Sequence, residues 1–342
     1  MKNTLNTSEF IPAPKSSELK SCPFCGSNDV AAWWSAPDRF HLREQVYRLR
    51  RCSSCSLVWQ YDPPLPEAMT AHYGRNYHKT ISKNGDASLE RWKQRQARVL
   101  PHRSSGALLD LGCSSGAFLE VFKGGPWDLY GIEIDPIQAE TARAKGANVF
   151  TGDALDAPFA PESFDVITCF HVLEHHYQPR ELMQKVWEWL KPGGVFFLVL
   201  PNIDSWEACL FRSYWFGLEM PRHLFHFSPK SLQQVSSSIG FDVARLMTPA
   251  DSYMEHSIRY IFDDLVQGLG FSRVSLSEGQ QASLPLKVIR KAFRLSFELV
   301  FRHAASLAGR GASIEAVFKK TLSGQASDFS GSNLQVHLNR EK

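Results

Sequence analysis

The stretch Leu108-Leu109-Asp110-Leu111-Gly112-Cys113-Ser114-Ser115-Gly116-Ala117-Phe118-Leu119 decides how this chain folds. A largely apolar run stops at Gly112, small residues follow, and apolar periodicity resumes after Gly116, the pattern of a short buried strand, a tight loop and a helix. Glycine lets the backbone turn sharply and lets a ligand lie against it, and the first turn of the helix offers unpaired N–H groups. The spacing Gly112-x-x-x-Gly116 is not the Gly-x-Gly-x-x-Gly that seats a dinucleotide pyrophosphate on a helix N-terminus. Asp110 would also set a carboxylate against such phosphates. A cationic or zwitterionic ligand suits the loop better.

Outward from the loop, strands and helices alternate. Residues 129–135 form a second strand whose acid, Glu133, stands roughly 20 residues past the glycine loop, where an open parallel sheet places the carboxylate that receives ribose hydroxyls. Asp135 is the alternative, but it also precedes Pro136 as a helix N-cap. Residues 149–154 end a third strand, and Ser163 to Phe170, rich in β-formers, make a fourth. A helix over 181–190 stops at Lys191-Pro192-Gly193-Gly194, and 195–200 is an unbroken apolar fifth strand. A helix over 229–239, a sixth strand over 241–247 and a seventh over 312–319 complete the set.

These residues resemble motif I and its companions in the class I S-adenosylmethionine (SAM) methyltransferases, through most of residues 70–248. The resemblance implies an α/β fold, a Rossmann-like seven-stranded mostly parallel sheet with helices on both faces, its last strand antiparallel beside the sixth. It implies SAM as cofactor, with Asp110, Gly112, Cys113, Ser114 and Gly116 around the methionine part. Glu133 and Ile134 would meet the ribose, Asp153 and the Ala154 backbone the adenine, and Phe170 the crevice at the fourth strand's end. Tyr77, from the leading region 67–80, would close over the ligand, or else pack with Tyr73 onto the core. Ser114 stands where the family usually has glycine, a costly exchange if φ is positive there. The Leu190-Lys191-Pro192-Gly193-Gly194 block is also characteristic of the family.

The most chemically loaded run is His171-Val172-Leu173-Glu174-His175-His176. On a helix, His171, Glu174 and His175 share one face, where a histidine can take a proton near neutral pH or the trio can hold a divalent ion. The plainer alternative is that Glu174 and His175 tie the loop to the sheet. After the fifth strand, an aromatic-rich loop (Trp206, Phe211, Tyr214, Trp215, Phe216, then Pro221 to Phe227) is expected to wall an acceptor chamber. His223 is a second candidate base there, making His171, His175 and His223 the catalytic candidates, and Arg222 is a candidate anchor for an acidic acceptor.

Four of the seven cysteines form two Cys-x-x-Cys pairs, Cys22/Cys25 and Cys52/Cys55. Two such knuckles complete a tetrahedral, structural Zn2+ site. Short strands at 31–34, 45–50 and 57–59 make this a zinc ribbon over residues 20–62, ended by the stiff Asp62-Pro63-Pro64-Leu65-Pro66. The remaining expected divisions are a disordered tail over 1–19, a helical linker or cap over 63–104, the SAM-binding core over 105–251, a helical insertion over 252–310, the last core strand over 311–320 and a second disordered tail over 321–342.

At 342 residues and 43% hydrophobic content, the chain can bury a full-sized core and a small satellite. A net charge of +3 gives no strong nucleic-acid signal, and no window has the length of a spanning helix. The polar N-terminus shows no signal peptide, and the cysteine usage fits a reducing cytoplasm. Residues 286–302 carry a basic amphipathic pattern, expected to serve as a lid, a homodimer element or a peripheral membrane contact. The expected reaction is methyl transfer to a small-molecule acceptor: a hydroxyl on a sugar, a lipid-linked saccharide or another metabolite. Two rivals are a vestigial SAM-binding module whose ribbon recruits protein or nucleic acid, and a nicotinamide-dependent oxidoreductase, which the loop spacing disfavours.

Overall fold

The computed structural model describes residues 21–73, 85–268 and 297–321. The run before Gly112 is strand β4 (Gly106–Leu111), and its neighbours are β5 (Trp127–Glu133), β6 (Asn148–Thr151), β7 (Phe164–Phe170), β8 (Leu190–Pro201), β10 (Phe241–Met247) and β11 (Ser313–Lys320). They hydrogen-bond in the order β10-β11-β8-β7-β4-β5-β6. The pairings of β4 with β5 and β7, β5 with β6, and β7 with β8 are parallel, whereas β11 runs antiparallel between β8 and β10. This is the expected seven-stranded sheet.

Its strands are apolar on both faces because both faces are covered. Leu109, Ile167, Phe196 and Leu198 point toward Leu182, Met183 and Val186 of the helix Pro179–Trp189 and toward Leu232 and Val235 of the helix Pro229–Ile239. Their chain neighbours Leu108, Val166, Val195 and Phe197 join Phe118, Leu119 and Ala142 on the opposite face, beneath the helices Gly85–Val99, Ala117–Glu120 and Pro136–Ala144. Each such buried side chain contributes about 1.5–3 kcal/mol of transfer free energy, so period-two alternation fixes the strand register.

The Lys191-Pro192-Gly193-Gly194 block differs from the expected free-standing turn. The helix stops at Trp189 and β8 begins at Leu190, so the block lies inside the strand. The register jumps there, from Phe164↔Leu190 to Val166↔Val195. A bulge is where a strand tolerates proline and glycine.

The N-terminal sheet contains β1 (Val30–Pro37), β2 (Val46–Cys52) and β3 (Val58–Gln60), close to the expected strands. It has a fourth member, β9 (Phe225–His226), contributed by the loop after β8. The ribbon therefore does not end as a unit at Asp62. Its core is shared as well: Tyr47, Leu49 and Val58 pack with Phe211, Trp215, Leu218 and Met220 of that loop.

Of the insertion, the helices Met254–Gly268 and Leu299–Leu307 are described. The basic pattern over 286–302 lies outside the described residues up to 296, as do Tyr77, the expected tail over 1–19 and residues 322–342 of the second. Among the described residues, no helix is long and apolar enough to cross a membrane.

Candidate active site

Gly112, Ser114 and Gly116 all take left-handed φ, at 66°, 47° and 72°. The alternation curls the backbone between β4 and the helix Ala117–Glu120 into a concave turn. A Cβ on Gly112 would stand 2.4 Å from Val172 Cγ2, and one on Gly116 would stand 2.9 Å from Ala142 Cβ. Both glycines are required by conformation and by space. Ser114 accepts a strained conformation costing about 1–2 kcal/mol, and its backbone N–H donates to Glu133 Oε2 at 2.8 Å.

The end of β5 presents two acids in different roles. Asp135 caps the helix Pro136–Ala144, accepting from the N–H groups of Ile137 and Gln138. Glu133, 6% exposed, faces the loop and also accepts from Asp135 N at 2.9 Å. Beside it Ile134 is 72% exposed, an uncovered apolar side chain at a strand end. At the end of β6, Asp153 caps the turn Ala154–Asp156 through Leu155 N and lies 3.3 Å from His176 Nε2. Loop, acid, apolar plate and second acid thus follow one another along the carboxyl edge of the sheet. That arrangement fits the methionine, ribose and adenine parts of SAM.

Asp110 is buried and takes a hydrogen bond from Thr168 Oγ1 at 2.7 Å across the β4–β7 pairing. Burial pushes its carboxyl up to about 7, against the opposing hydrogen bond from Thr168 and the charge of Arg95. Arg95 itself is half-buried, its guanidinium 4.2 Å from the centre of the Phe170 ring; desolvation lowers it to about 10. Phe170 also meets Phe118 edge-on at 4.9 Å. Cys113 is buried, its thiol near Gly131.

The histidine run is not an α-helix. β7 ends at Phe170, His171 adopts a left-handed φ of 58°, and residues Leu173–His175 form a single 3-10 turn. The geometry splits the expected trio. His171 Nδ1 lies 3.3 Å from Glu174 Oε1, while the His175 Nδ1 lies 3.1 Å from both the Arg222 carbonyl and the Tyr73 hydroxyl. The His175 ring packs edge-on against His223, centroids 4.5 Å apart. Burial and the neighbouring His223 lower the His175 imidazole to about 4, so it is neutral at pH 7. Two of the three candidate bases, His175 and His223, therefore meet, and both border Glu174.

Arg222 is not an acceptor anchor. It is wholly buried, with Nη1 3.3 Å from Asp38 Oδ1 and 3.0 Å from the His72 carbonyl, and Nε 3.0 Å from Glu219 Oε1. A guanidinium so engaged holds the loop to the ribbon. Asp38 is hidden in the sequence because it is 184 positions from Arg222, whereas Glu219 stands only three positions before it.

The four knuckle sulfurs come together as expected. Cys22 and Cys55 Sγ are 3.5 Å apart, Cys25 and Cys52 Sγ 3.6 Å, and all four lie within 4.8 Å of one another. Tetrahedral ligation at about 2.3 Å per sulfur separates thiolates by about 3.8 Å, so the donor set fits a closed zinc site.

Residues 83–246 match the family model described as a methyltransferase domain. That match covers just under half of the chain, and the strand order agrees with the fold that the family resemblance implies. The chain is 26% identical over 176 residues to a ubiquinone biosynthesis O-methyltransferase of Idiomarina loihiensis, covering 48% of this chain and 68% of that protein. It is 30% identical over 153 residues to a 27-O-demethylrifamycin SV methyltransferase of Amycolatopsis mediterranei, covering 40% and 56%. A ubiquinone biosynthesis O-methyltransferase of Pseudomonas fluorescens is 34% identical over 112 residues, covering 30% and 47%. The chain spans about half to two-thirds of the length of these curated relatives.

Proposed function

We propose that this chain transfers a methyl group from SAM to a small-molecule acceptor. The observation that carries the reading is the left-handed loop Gly112 to Gly116 bonded through Ser114 N to Glu133, at the carboxyl edge where an open α/β sheet binds its ligand. The bound cofactor supplies an electrophilic methyl on a sulfonium. Asp110 and the loop would hold its methionine part, Glu133 its ribose, and Asp153 with Ala154 its adenine, while Ile134 gives the apolar surface the nucleoside covers. Tyr77, outside the described residues, is proposed as a closing side chain from the sequence alone.

The protein's own contribution is alignment and exclusion of water. His175 and His223 face each other at the end of β7, where an acceptor would approach. A neutral His175 is able to receive the proton of an acceptor hydroxyl. His171 remains the third candidate. The acceptor is a hydroxyl on a sugar, a lipid-linked saccharide or a related metabolite; the ubiquinone and rifamycin relatives support an oxygen acceptor on a bulky small molecule. The four cysteines hold a structural Zn2+.

A second reading is a SAM-binding module without turnover, in which the ribbon, sharing a core with the loop after β8, would recruit a protein or nucleic acid. Calorimetry with S-adenosylhomocysteine (SAH) and with NAD, followed by label transfer from SAM into fractionated small-molecule extracts, tests both. SAH binding with transfer to an extractable small molecule is expected. Absence of SAH affinity would sink the main reading, and SAH binding without transfer to any fraction would favour the module.

A further inference from the structure

The geometry points to a two-histidine, one-carboxylate site for a divalent transition-metal ion, formed by Glu174, His175 and His223. These residues each offer a ligand atom within 4.8 Å of the others. Glu174 is 1% exposed, and its Oε2 is buried with no hydrogen-bond partner while Oε1 engages His171. An unpartnered buried carboxylate oxygen costs several kcal/mol unless a cation or donor meets it.

The two imidazoles are oriented for the same purpose. His223 Nδ1 lies 2.9 Å from the Gly217 carbonyl, and His175 Nδ1 lies 3.1 Å from the Arg222 carbonyl. A carbonyl only accepts, so each Nδ1 donates to it, and Nε2 is the nitrogen each ring has available for an ion. Metal-binding histidines are fixed in this way, by donating the far nitrogen to a carbonyl or carboxylate. His223 Nε2 also lies 3.5 Å from Glu219 Oε2, a contact that an ion bound at this nitrogen would replace. Two imidazole rings beside a buried carboxylate whose Oε2 has no hydrogen-bond partner make a donor set that a cation would complete.

Imidazole nitrogens with one carboxylate suit Zn2+ or Fe2+ and leave coordination positions open. An ion with ligand distances near 2.0–2.2 Å would draw the three donors together by about an ångström. The trio expected from sequence, His171 with Glu174 and His175, is thereby replaced: His223, from the loop after β8, takes the place of His171. With the ion bound, His175 and His223 act as ligands and not as bases; the inference rests on the methyl-transfer reading only for its use, the open positions being where an acceptor oxygen would bind beside the transferred methyl.

The test is zinc content. The full chain is equilibrated with Zn2+, desalted and assayed for zinc and for SAH binding. Glu174→Gln and His223→Gln should each lower the zinc content by one equivalent per chain while SAH affinity and the thermal transition show that the fold persists. Cys52→Ser should remove a different equivalent. Zinc content unchanged by both Glu174→Gln and His223→Gln overturns the site, whatever the activity. Loss of SAH binding in the wild-type chain would instead count against the methyl-transfer reading, so the two failures are distinguishable.

Discussion

Asp38, which follows the first ribbon strand, and Arg222, in the loop after β8, are both wholly buried with their charged groups 3.3 Å apart. Burial alone would raise the Asp38 carboxyl, but hydrogen bonds from His41 and His72 and the charge of Arg222 hold it well below the usual carboxylate range. The pair fixes the position of its neighbour His223. Arg222→Ala leaves an uncompensated buried carboxylate and is expected to cost about 3–5 kcal/mol. Asp38→Asn keeps the shape and should loosen residues 219–227 with less damage. Because the folded pKa is depressed, the contribution of Asp38 is complete above the unfolded value near 4 and is lost as pH falls below it. Thermal melts against pH and hydrogen exchange over the loop measure both effects; unaltered exchange in Asp38→Asn would refute the tether.

Ser114 sits at φ 47° between two glycines that are also left-handed. Ser114→Gly should remove about 1 kcal/mol of backbone strain, offset in part by the greater freedom of glycine in the unfolded chain. A small rise in the melting temperature is the expected outcome, with the N–H donation to Glu133 retained. A clear fall would mean that the serine side chain contributes what its backbone loses.

Glu133→Ala deletes the acceptor of the Ser114 N–H and the proposed ribose ligand in one step. Hydrogen bonds to a charged group are worth about 1.5–3 kcal/mol, so SAH affinity should fall by roughly 10- to 100-fold. Calorimetry reads this directly, and an unchanged affinity would reassign the ribose to another group.

Asp110 titrates near 7 because it is buried. A raised folded pKa means that its contribution to stability is complete below about 4 and is lost as pH rises through about 7. A cationic ligand favours the ionised form, so SAM should bind more tightly as pH rises from 6 to 8. Asp110→Asn should flatten that dependence. A wild-type affinity independent of pH across this interval would show that the carboxylate does not sense the ligand.

Cys52→Ser should abolish one equivalent of zinc and lower the melting temperature strongly, since structural zinc contributes folding free energy. Its effect should extend to turnover, because β3 of the ribbon pairs with β9 immediately after His223. Retained stoichiometric zinc would contradict the four-cysteine site.

The main sheet is legible because each of its strands is a local apolar run, while its topology is what the family resemblance implies. Glu133 and Asp135 stand as alternatives for the ribose in the sequence; Asp135 takes the capping role expected of it before Pro136. The histidine run misled because helical spacing was assumed where a left-handed His171 redirects the chain. β9 escaped because two residues carry no periodicity. Arg222 looked like a ligand for the same reason that it is a tether: an arginine among aromatics seeks a carboxylate, and the nearest one lies in the ribbon.

Strand β11 lies between β8 and β10 yet follows both in the chain. During synthesis β10 therefore emerges without the neighbour it will pair with, and β8 waits with one edge open while residues 252–310 are made. Unpaired edges invite association with other chains, and a contact closed this late slows folding. Arg98 reaches across to Glu315 of β11, and Lys320 at its end bonds the Leu190 carbonyl at 2.8 Å. The latest strand thus fastens both the first helix of the core and the start of β8. Shortening the chain before Ser313 should release two edge strands at once, and aggregation during translation is the vulnerability this order of assembly creates.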